Sequence, residues 1–559
     1  MAACDVRPRS CYDGEMVRSA IRHTRDRAEL FLLLGVLVLA VAILFLPSYW
    51  ASSLVPHADA GEYTITAQNL AYLKGYHITL LHRAYPSRYP FGFPLLLMPF
   101  YWLPHATLAT GIYGVLTYAV LTVVATYVLA RMMSTPLAGV IAAVSALLSS
   151  VFIIFSHYVL SEMASTALVA LSAILLCLAV GSATTRSCLI ALIGLGATCG
   201  FAMLVHFTNG ALVVSVALAL VATRRVRAQG WRAFVAFASG PTCAGSILAV
   251  YNWATFGTVT ATGYRFWRPA WYTSLHRTFA LTYALRPHLM EDGGRLTPWG
   301  NIGYYVHLFP ALVPSRWCLV PLGVGLVVLL RNRRPAARAL ALFVVLFTLL
   351  TVGLYLLYFF QAIRFLMPLI PLMACLIGVG ADQGVAWMRR RVSSSPLRIA
   401  RWIGGSLVSG ITVVGLLVGR STLDESHLYN RYVTHDRLLL SDPIEGQAIM
   451  LYQSVVPAGS IIITDLFDPI VEATPAGRRS TIVPVRWVGY ESDVAPVKTL
   501  PALDTERQRI AAAIAAGTPV FTDSFTLLLE KPKLSEYWLE EVAHGVAGST
   551  PVAIYRVTI

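Results

Sequence analysis

HADAGEYTITAQNLAYLKGYHITLLHRAYPSRYPFGFPLLLMPFYWL, residues 57–103, follows the first long apolar run of the chain, Leu30 to Pro47. It opens with two acids one helical turn apart, Asp59 and Glu62, which share one helix face. The cations Lys74, Arg83 and Arg88 and the imidazoles His77 and His82 follow, and the stretch closes on prolines and aromatics. An acid beside a membrane is costly to desolvate, so its place there points towards function. A local reading also stands: Asp59 sits where an N-cap would sit, with Glu62 three residues on, close to a capping box. The company of Arg, Lys and His weighs for chemistry. A carboxylate base, with cations to hold an anionic leaving group, is what acyl, glycosyl or phosphoryl transfer requires.

The rest of the chain says what kind of body carries this loop. Of 559 residues, 57% are hydrophobic and only 13% charged, and the mean hydropathy is +0.65. That composition is a polytopic membrane protein with a modest soluble part. The net charge of +15 would suggest nucleic acid in a soluble protein. Here the basic residues fall in short loops between apolar runs, so topology explains them and nucleic acid is set aside as a partner. The eight cysteines form no CxxC pair, which argues against a disulfide framework and a thiolate metal site. The N-terminus is polar and charged to Glu29, and the next apolar run lacks a small-residue cleavage site, so no signal peptide is expected.

A spanning helix needs roughly 20 apolar residues, and about eleven runs qualify on that criterion. They lie near 30–47, 107–130, 136–156, 163–181, 187–206, 210–223, 233–255, 316–330, 339–360, 365–381 and 402–419. The run 91–104 is short and bounded by prolines, and reads as re-entrant or interfacial. The arginine-bearing connections alternate along the chain: the N-terminal arginines, Arg131, Arg186, Arg224 to Arg227, Arg331 to Arg334 and Arg389 to Arg391. The positive-inside bias makes that set cytoplasmic. The expectation is a multi-pass protein of the plasma (inner) membrane, N-terminus cytoplasmic. Its outer face receives the loops 48–106 and 256–315, the turns HYVLSEM, HFTN and FFQAIRF, and the tail.

Three regions follow: a cytoplasmic segment 1–29, a membrane domain 30–420, and a tail 421–559. The loop 256–315 is rich in Trp and Tyr, which suits the membrane interface and also stacking on sugar rings. The tail has strand-like runs at 460–464, 480–485, 519–523 and 551–559, and a helical pattern at 505–517 ending on Gly517. It reads as a small extracytoplasmic α/β domain, a lid or docking unit. It has neither GxGxxG nor a P-loop, so no nucleotide pocket is indicated.

Further candidates lie at span ends. Glu162, in HYVLSEMASTAL, is a carboxylate in an apolar segment; the structural alternative is a helix N-terminal acid favoured by the dipole, with Ser161 near the cap. With His157 it could join a divalent-cation site through oxygen and imidazole, although the spacing is no metal motif by itself. Arg364 opens a span, flanked by Tyr355, Tyr358 and Gln361. It reads either as a snorkelling interfacial arginine or as a bidentate clamp on phosphate. Tyr251 and Asn252 either line the same pocket or form an ordinary helix exit at Gly257.

Four features, in order, resemble the GT-C class of integral-membrane glycosyltransferases. They are DAGEY (59–63), SRYPFGFPLLLMPFY (87–101), SEM (161–163) and RFLMPLIPL (364–372). The branch is that of the protein O-mannosyltransferases and the lipid A aminoarabinose transferase, and it covers most of residues 30–420. Asp59 and Glu62 depart from it in not being adjacent, which leaves the second acid open. The resemblance implies a GT-C fold, all-α in the membrane with about eleven spans, and a C-terminal α/β domain. It implies an inverting transfer from a polyprenyl-phosphate sugar to a hydroxyl on a lipid, glycan or protein, at the outer face. Asp59 would be the base, with Glu62 beside it as a catalytic candidate. Lys74, His82, Arg83, Arg88, Tyr89, Tyr358 and Arg364 would form the substrate-binding set, with Arg88, Lys74 or Arg364 neutralising the leaving phosphate. In some relatives a divalent metal shares that work, which would use Glu162 and His157. No nucleotide-sugar is expected.

Two other classes stand beside this one. A transporter or flippase for a lipid-linked or amphipathic substrate would carry ionisable groups at mid-membrane, often in two related halves, whereas here they sit at span ends. A non-catalytic assembly partner would use the tail to dock another envelope protein.

Overall fold

In hydrocarbon a chain must satisfy its backbone internally, so long apolar runs fold as helices. The computed structural model describes residues 29–45, 58–80, 83–106, 110–267, 272, 274–286, 299–389, 403–404, 406–417, 447–448, 450–464, 479–484, 503–524, 526–527, 534–547 and 550–559. In chain order the membrane part holds α1 (Glu29–Leu44), α2 (Ala58–Ala71), a hairpin of β1 (Ile78–Leu80) and β2 (Arg83–Tyr85), and α3 (Gly92–Leu97). Then come α4 (Gly111–Met133), α5 (Pro136–Leu147), α6 (Ser150–Ser156), α7 (Ser161–Gly181), α8 (Thr185–Val205), α9 (Gly210–Ala222) and α10 (Trp231–Phe256). After the long loop follow α11 (Gly300–Leu308), α12 (Leu319–Arg331), α13 (Pro335–Leu357), α14 (Ile370–Arg389) and α15 (Ser406–Leu417).

Each of the apolar runs read from the sequence is helical over most of its described residues, but they are not equivalent spans. Among the described residues 6 helices are long and apolar enough to cross a membrane, or up to 8 if each bent pair is one span. By length and composition alone the described residues thus give fewer spans than the eleven expected. The pair 136–156 bends by 63° and the pair 300–331 by 87°. The runs at 30–47, 210–223 and 402–419 form shorter helices, Glu29–Leu44, Phe207–Ala222 and Ser406–Leu417.

Helix packing relies on small residues where water is absent. A Cβ at Gly196 of α8 would lie 2.1 Å from the Phe237 carbonyl oxygen of α10, so the two backbones touch there. At the C-terminal end of α4, Ser134 and Thr135 donate to the two oxygens of Asp382 in α14, at 2.5 and 2.7 Å. The run 91–104 is a short helix and a 3-10 turn, Met98–Trp102, packed on α2 and α4.

In the tail, α16 (Leu503–Ala515) and the strands β3 (Ile461–Thr464), β4 (Thr481–Pro484), β5 (Val520–Asp523), β6 (Trp538–Ala547) and β7 (Thr550–Thr558) form one sheet of order β4-β3-β5-β7-β6. β3 pairs parallel with β4 and β5, while β7 is antiparallel to β5 and β6. β6 was absent from the sequence reading. Its run WLEEVAHGVA carries adjacent acids and a glycine, and its register shifts between Glu541 and Ala543. That irregularity masks the alternation by which a strand is read.

Candidate active site

Asp59 lies in the first turn of α2 and Glu162 in the first turn of α7. Helix N-termini favour carboxylates through the dipole, so each acid is locally comfortable. Arg364 joins them. Its Nη2 donates to Asp59 Oδ2 at 2.9 Å. Its Nε lies 3.2 Å from Glu162 Oε1, without the alignment of a hydrogen bond.

Arg88 closes the cluster from the first loop. Its Nε donates to Glu62 Oε2 at 2.7 Å, and its Nη2 lies 3.7 Å from Asp59 Oδ1. Glu62 Oε1 accepts from Ser87 Oγ at 2.6 Å and from the Arg88 backbone N–H. Glu62 is fully buried and saturated by these donors. The Asp59 side chain, at 20% exposure, is the open carboxylate, and the two guanidiniums are 13% exposed. Burial works against the Arg88 charge, but Tyr89, Glu62 and Asp59 more than offset it and hold the guanidinium above its ordinary value. The cluster counts three carboxylates, Asp59, Glu62 and Glu162, against two guanidiniums.

Tyrosines surround it. Tyr89 stacks on Tyr63 at 4.4 Å, and Tyr264 meets Tyr89 edge-on at 5.5 Å. The Arg88 guanidinium sits 5.1 Å from the Tyr89 ring centroid. Tyr63 donates to Ser161 Oγ at 3.2 Å, tying α2 to the start of α7. The turn at Ser87 and Arg88 also receives the long loop: a Cβ at Gly263 would lie 2.1 Å from Ser87 O and 2.6 Å from Arg88 Cα.

Arg364 is held by α11. Buried Asn301 donates from Nδ2 to the carbonyls of Tyr355, Leu356 and Tyr358 at 3.1, 3.0 and 2.6 Å. Those carbonyls end α13, where a helix leaves acceptors unsatisfied. Gln361 Nε2 donates to Asn301 Oδ1 at 2.8 Å, and Ile363 N–H to Tyr304 Oη at 3.2 Å. Asn301, Tyr304 and Gln361 therefore fix the segment that presents Arg364. Asn301 and Tyr304 carry no charge and match no motif, so neither stands out in the sequence.

The remaining expected residues fall as follows. Lys74 is exposed beyond the end of α2, with its Nζ 5.9 Å from the Tyr72 ring. It helps to depress the neighbouring His77, behind the larger effect of burial. Arg83 pairs with Leu80 in the hairpin backbone, and His82 lies outside the described residues. The Tyr358 hydroxyl shares a hydrogen bond with Tyr272 at 2.6 Å, and its backbone bridges Phe279 of the long loop. Asn252 Nδ2 donates to Val259 O at 3.3 Å across a left-handed Gly257, the helix-exit arrangement, while Tyr251 packs on Tyr76 and Phe91.

Glu162 and His157 are the residues named for a metal. Glu162 faces Arg364, and His157 Nδ1 lies 2.9 Å from the Ile153 carbonyl. Among the described residues no group of three His, Cys, Asp or Glu side chains could hold a metal ion.

His206 was not singled out from the sequence. Its turn is tied to both sides of the Glu162 and Arg364 pair. Tyr355 donates to Thr208 Oγ1 at 2.7 Å, and Asn209 Nδ2 donates to Ser165 Oγ at 2.9 Å. The available signal was an imidazole at an apolar helix end on the face that carries the acids.

No family model matches the chain, and no curated protein does. Solved structures do. ArnT from Cupriavidus metallidurans bound to undecaprenyl phosphate matches with a TM-score of 0.59 at 13% identity, over 94% of this chain and 97% of that one. Its apo state gives 0.57 at 15% identity, over 94% and 98%. The archaeal oligosaccharyltransferase AglB from Archaeoglobus fulgidus, in complex with an inhibitory peptide and a dolichol-phosphate, gives 0.50 at 11% identity, over 95% and 74%. The chain is a multi-pass membrane protein with the GT-C fold of integral-membrane glycosyltransferases.

Proposed function

We propose that the protein is an inverting glycosyltransferase that moves a sugar from a polyprenyl-phosphate donor to a hydroxyl acceptor at the outer face of the membrane. One observation carries the reading: Asp59, the least buried member of a carboxylate cluster, sits between Arg88 and Arg364. The lipid phosphates bound to ArnT and AglB support the donor class.

The chemistry is a single displacement. Asp59 takes the proton of the acceptor hydroxyl, whose oxygen bonds the anomeric carbon. The bond from that carbon to the phosphate oxygen breaks, and the polyprenyl phosphate leaves with the electron pair. One displacement inverts the centre. Arg364 and Arg88 stabilise the charge that grows on the departing phosphate. In the resting cluster both guanidiniums face carboxylates, so an entering phosphate competes with Asp59 for Arg364. The exchange would release Asp59 for its work as base.

The test is transfer from a polyprenyl-phosphate sugar by purified protein carrying Asp59→Asn. A positioned base contributes about 10²–10⁴-fold, and a loss of that size is expected. Turnover near that of the unaltered protein would remove Asp59 from the mechanism. Movement of a lipid-linked substrate without covalent transfer would replace the reading with a flippase.

A further inference from the structure

His206 follows α8 and opens the turn Phe207–Asn209. Its Nδ1 accepts from the Thr208 backbone N–H at 3.4 Å and lies 2.7 Å from Thr208 Oγ1. Thr208 Oγ1 in turn accepts from the Tyr355 hydroxyl at 2.7 Å, so its own proton is free for Nδ1. A backbone N–H can only donate, so Nδ1 is the unprotonated nitrogen of a neutral ring. The proton therefore sits on Nε2, which has no hydrogen-bond partner among the described residues.

This fixed tautomer excludes one role and leaves another. With its only basic nitrogen engaged by the turn, the ring cannot take a proton from an acceptor hydroxyl. It can give a hydrogen bond from Nε2. The turn that carries the ring is tied to the start of α7, where Asn209 Nδ2 donates to Ser165 Oγ at 2.9 Å, three residues from Glu162. Tyr355 links it to the same corner, because the Tyr355 ring stacks on Phe365 at 4.6 Å, next to Arg364. A neutral donor at the corner that also presents a guanidinium is suited to an anionic oxygen, where preorganised N–H groups act without reorganising.

We propose that His206 contacts the substrate, its Nε2–H donating a hydrogen bond to a phosphate oxygen of the lipid-linked donor. The assignment rests on the transferase reading above and adds a third donor to Arg364 and Arg88. Thr208 and Tyr355 are positioning residues that hold the tautomer.

The capping role of His206 needs only Nδ1, so the two roles separate by substitution. His206→Asn retains a side-chain acceptor for the turn but lacks the distal donor. His206→Gln extends an amide N–H towards the place of Nε2. Binding of undecaprenyl phosphate and transfer from a polyprenyl-phosphate sugar are measured on full-length protein in detergent, with thermal unfolding as the check on folding. A hydrogen bond to a charged group is worth about 1.5–3 kcal/mol, about 10- to 150-fold. His206→Asn is expected to unfold as the unaltered protein does, yet to lose affinity and kcat/KM by that order, with partial recovery in His206→Gln. Equal binding and turnover in His206→Asn would overturn the His206 assignment and leave the transferase reading standing. Should His206→Asn fail to fold, His206→Ser takes its place, since it also keeps an acceptor for the turn and lacks the distal donor: unchanged binding and turnover in it overturn the assignment. Unaltered protein that neither binds undecaprenyl phosphate nor transfers sugar would overturn the transferase reading itself, and the His206 assignment with it.

Discussion

Arg364 and Asp59 are 305 positions apart in the chain, and their side chains meet at 2.9 Å. The same guanidinium lies against Glu162, so one cation links the first turn of α2 to the first turn of α7. The consequences of that pairing divide into stability and turnover, and the two can be measured apart.

Arg364→Ala leaves Glu162 largely buried without its cation. Breaking a buried pair from one side costs about 3–5 kcal/mol, so thermal unfolding in detergent shifts to lower temperature. Adding Glu162→Gln removes the stranded charge and restores most of the stability. The double variant remains inactive in sugar transfer. Recovery of activity together with stability would make the pair a structural clamp only.

Asn301→Ala withdraws three hydrogen bonds from the end of α13 and one from Gln361. The segment before Arg364 loosens, and kcat falls by about 10-fold or more, as for a misplaced catalytic group. In the Arg364→Ala background the same substitution adds little, because residues in one network are not additive. Strictly additive losses would separate Asn301 from Arg364.

Gly263→Ala puts a Cβ where Ser87 O and Arg88 Cα already stand. The backbone must move at one side, and Arg88 shifts off Glu62 and Asp59. Transfer is expected to fall, with a milder effect on unfolding temperature. Gly245, beside open space, tolerates alanine and serves as the control. Equal rates in the two variants would show that the long loop does not bear on Arg88.

Asp523 ends β5 in the tail, fully buried, and accepts hydrogen bonds from Tyr452, Thr464 and Thr526. Burial raises its carboxyl above the usual aspartate value, with those bonds opposing in part. A group raised on folding contributes stability that is full below its unfolded value, about 4, and is lost as pH rises through the folded value. Protection of β5 against hydrogen exchange, corrected for the intrinsic rate, should therefore decline with rising pH across that interval. In Asp523→Asn the decline disappears, since the amide does not titrate and the neighbouring hydroxyls can turn to accept from it. A slope unchanged in Asp523→Asn would assign the pH dependence elsewhere.

The apolar runs and the strand-like runs of the tail were legible because their signals are local. Length and hydropathy make a helix in lipid, and short β-branched runs between turns make strands. Asp59, Glu62, Arg88, Glu162 and Arg364 were legible as candidates for the same reason: a charge beside an apolar run stands out. Their partners were not. Nothing in DAGEY says that Glu62 is consumed by Ser87 and Arg88 while Asp59 stays partly open. Nothing in GNIGYY marks Asn301 as the residue that holds the segment before Arg364.

The amino-acid order alone determined which segments are helical and which charges stand at their ends, because both follow from residue type within a few positions. Only the packed structure decided where α5 and α6 break, which acid is sealed and which is open, and that the Nδ1 of His206 is engaged by its own turn. Those outcomes depend on helix ends brought together across long stretches of chain, where burial and a partner's geometry, not residue type, set what a side chain can do.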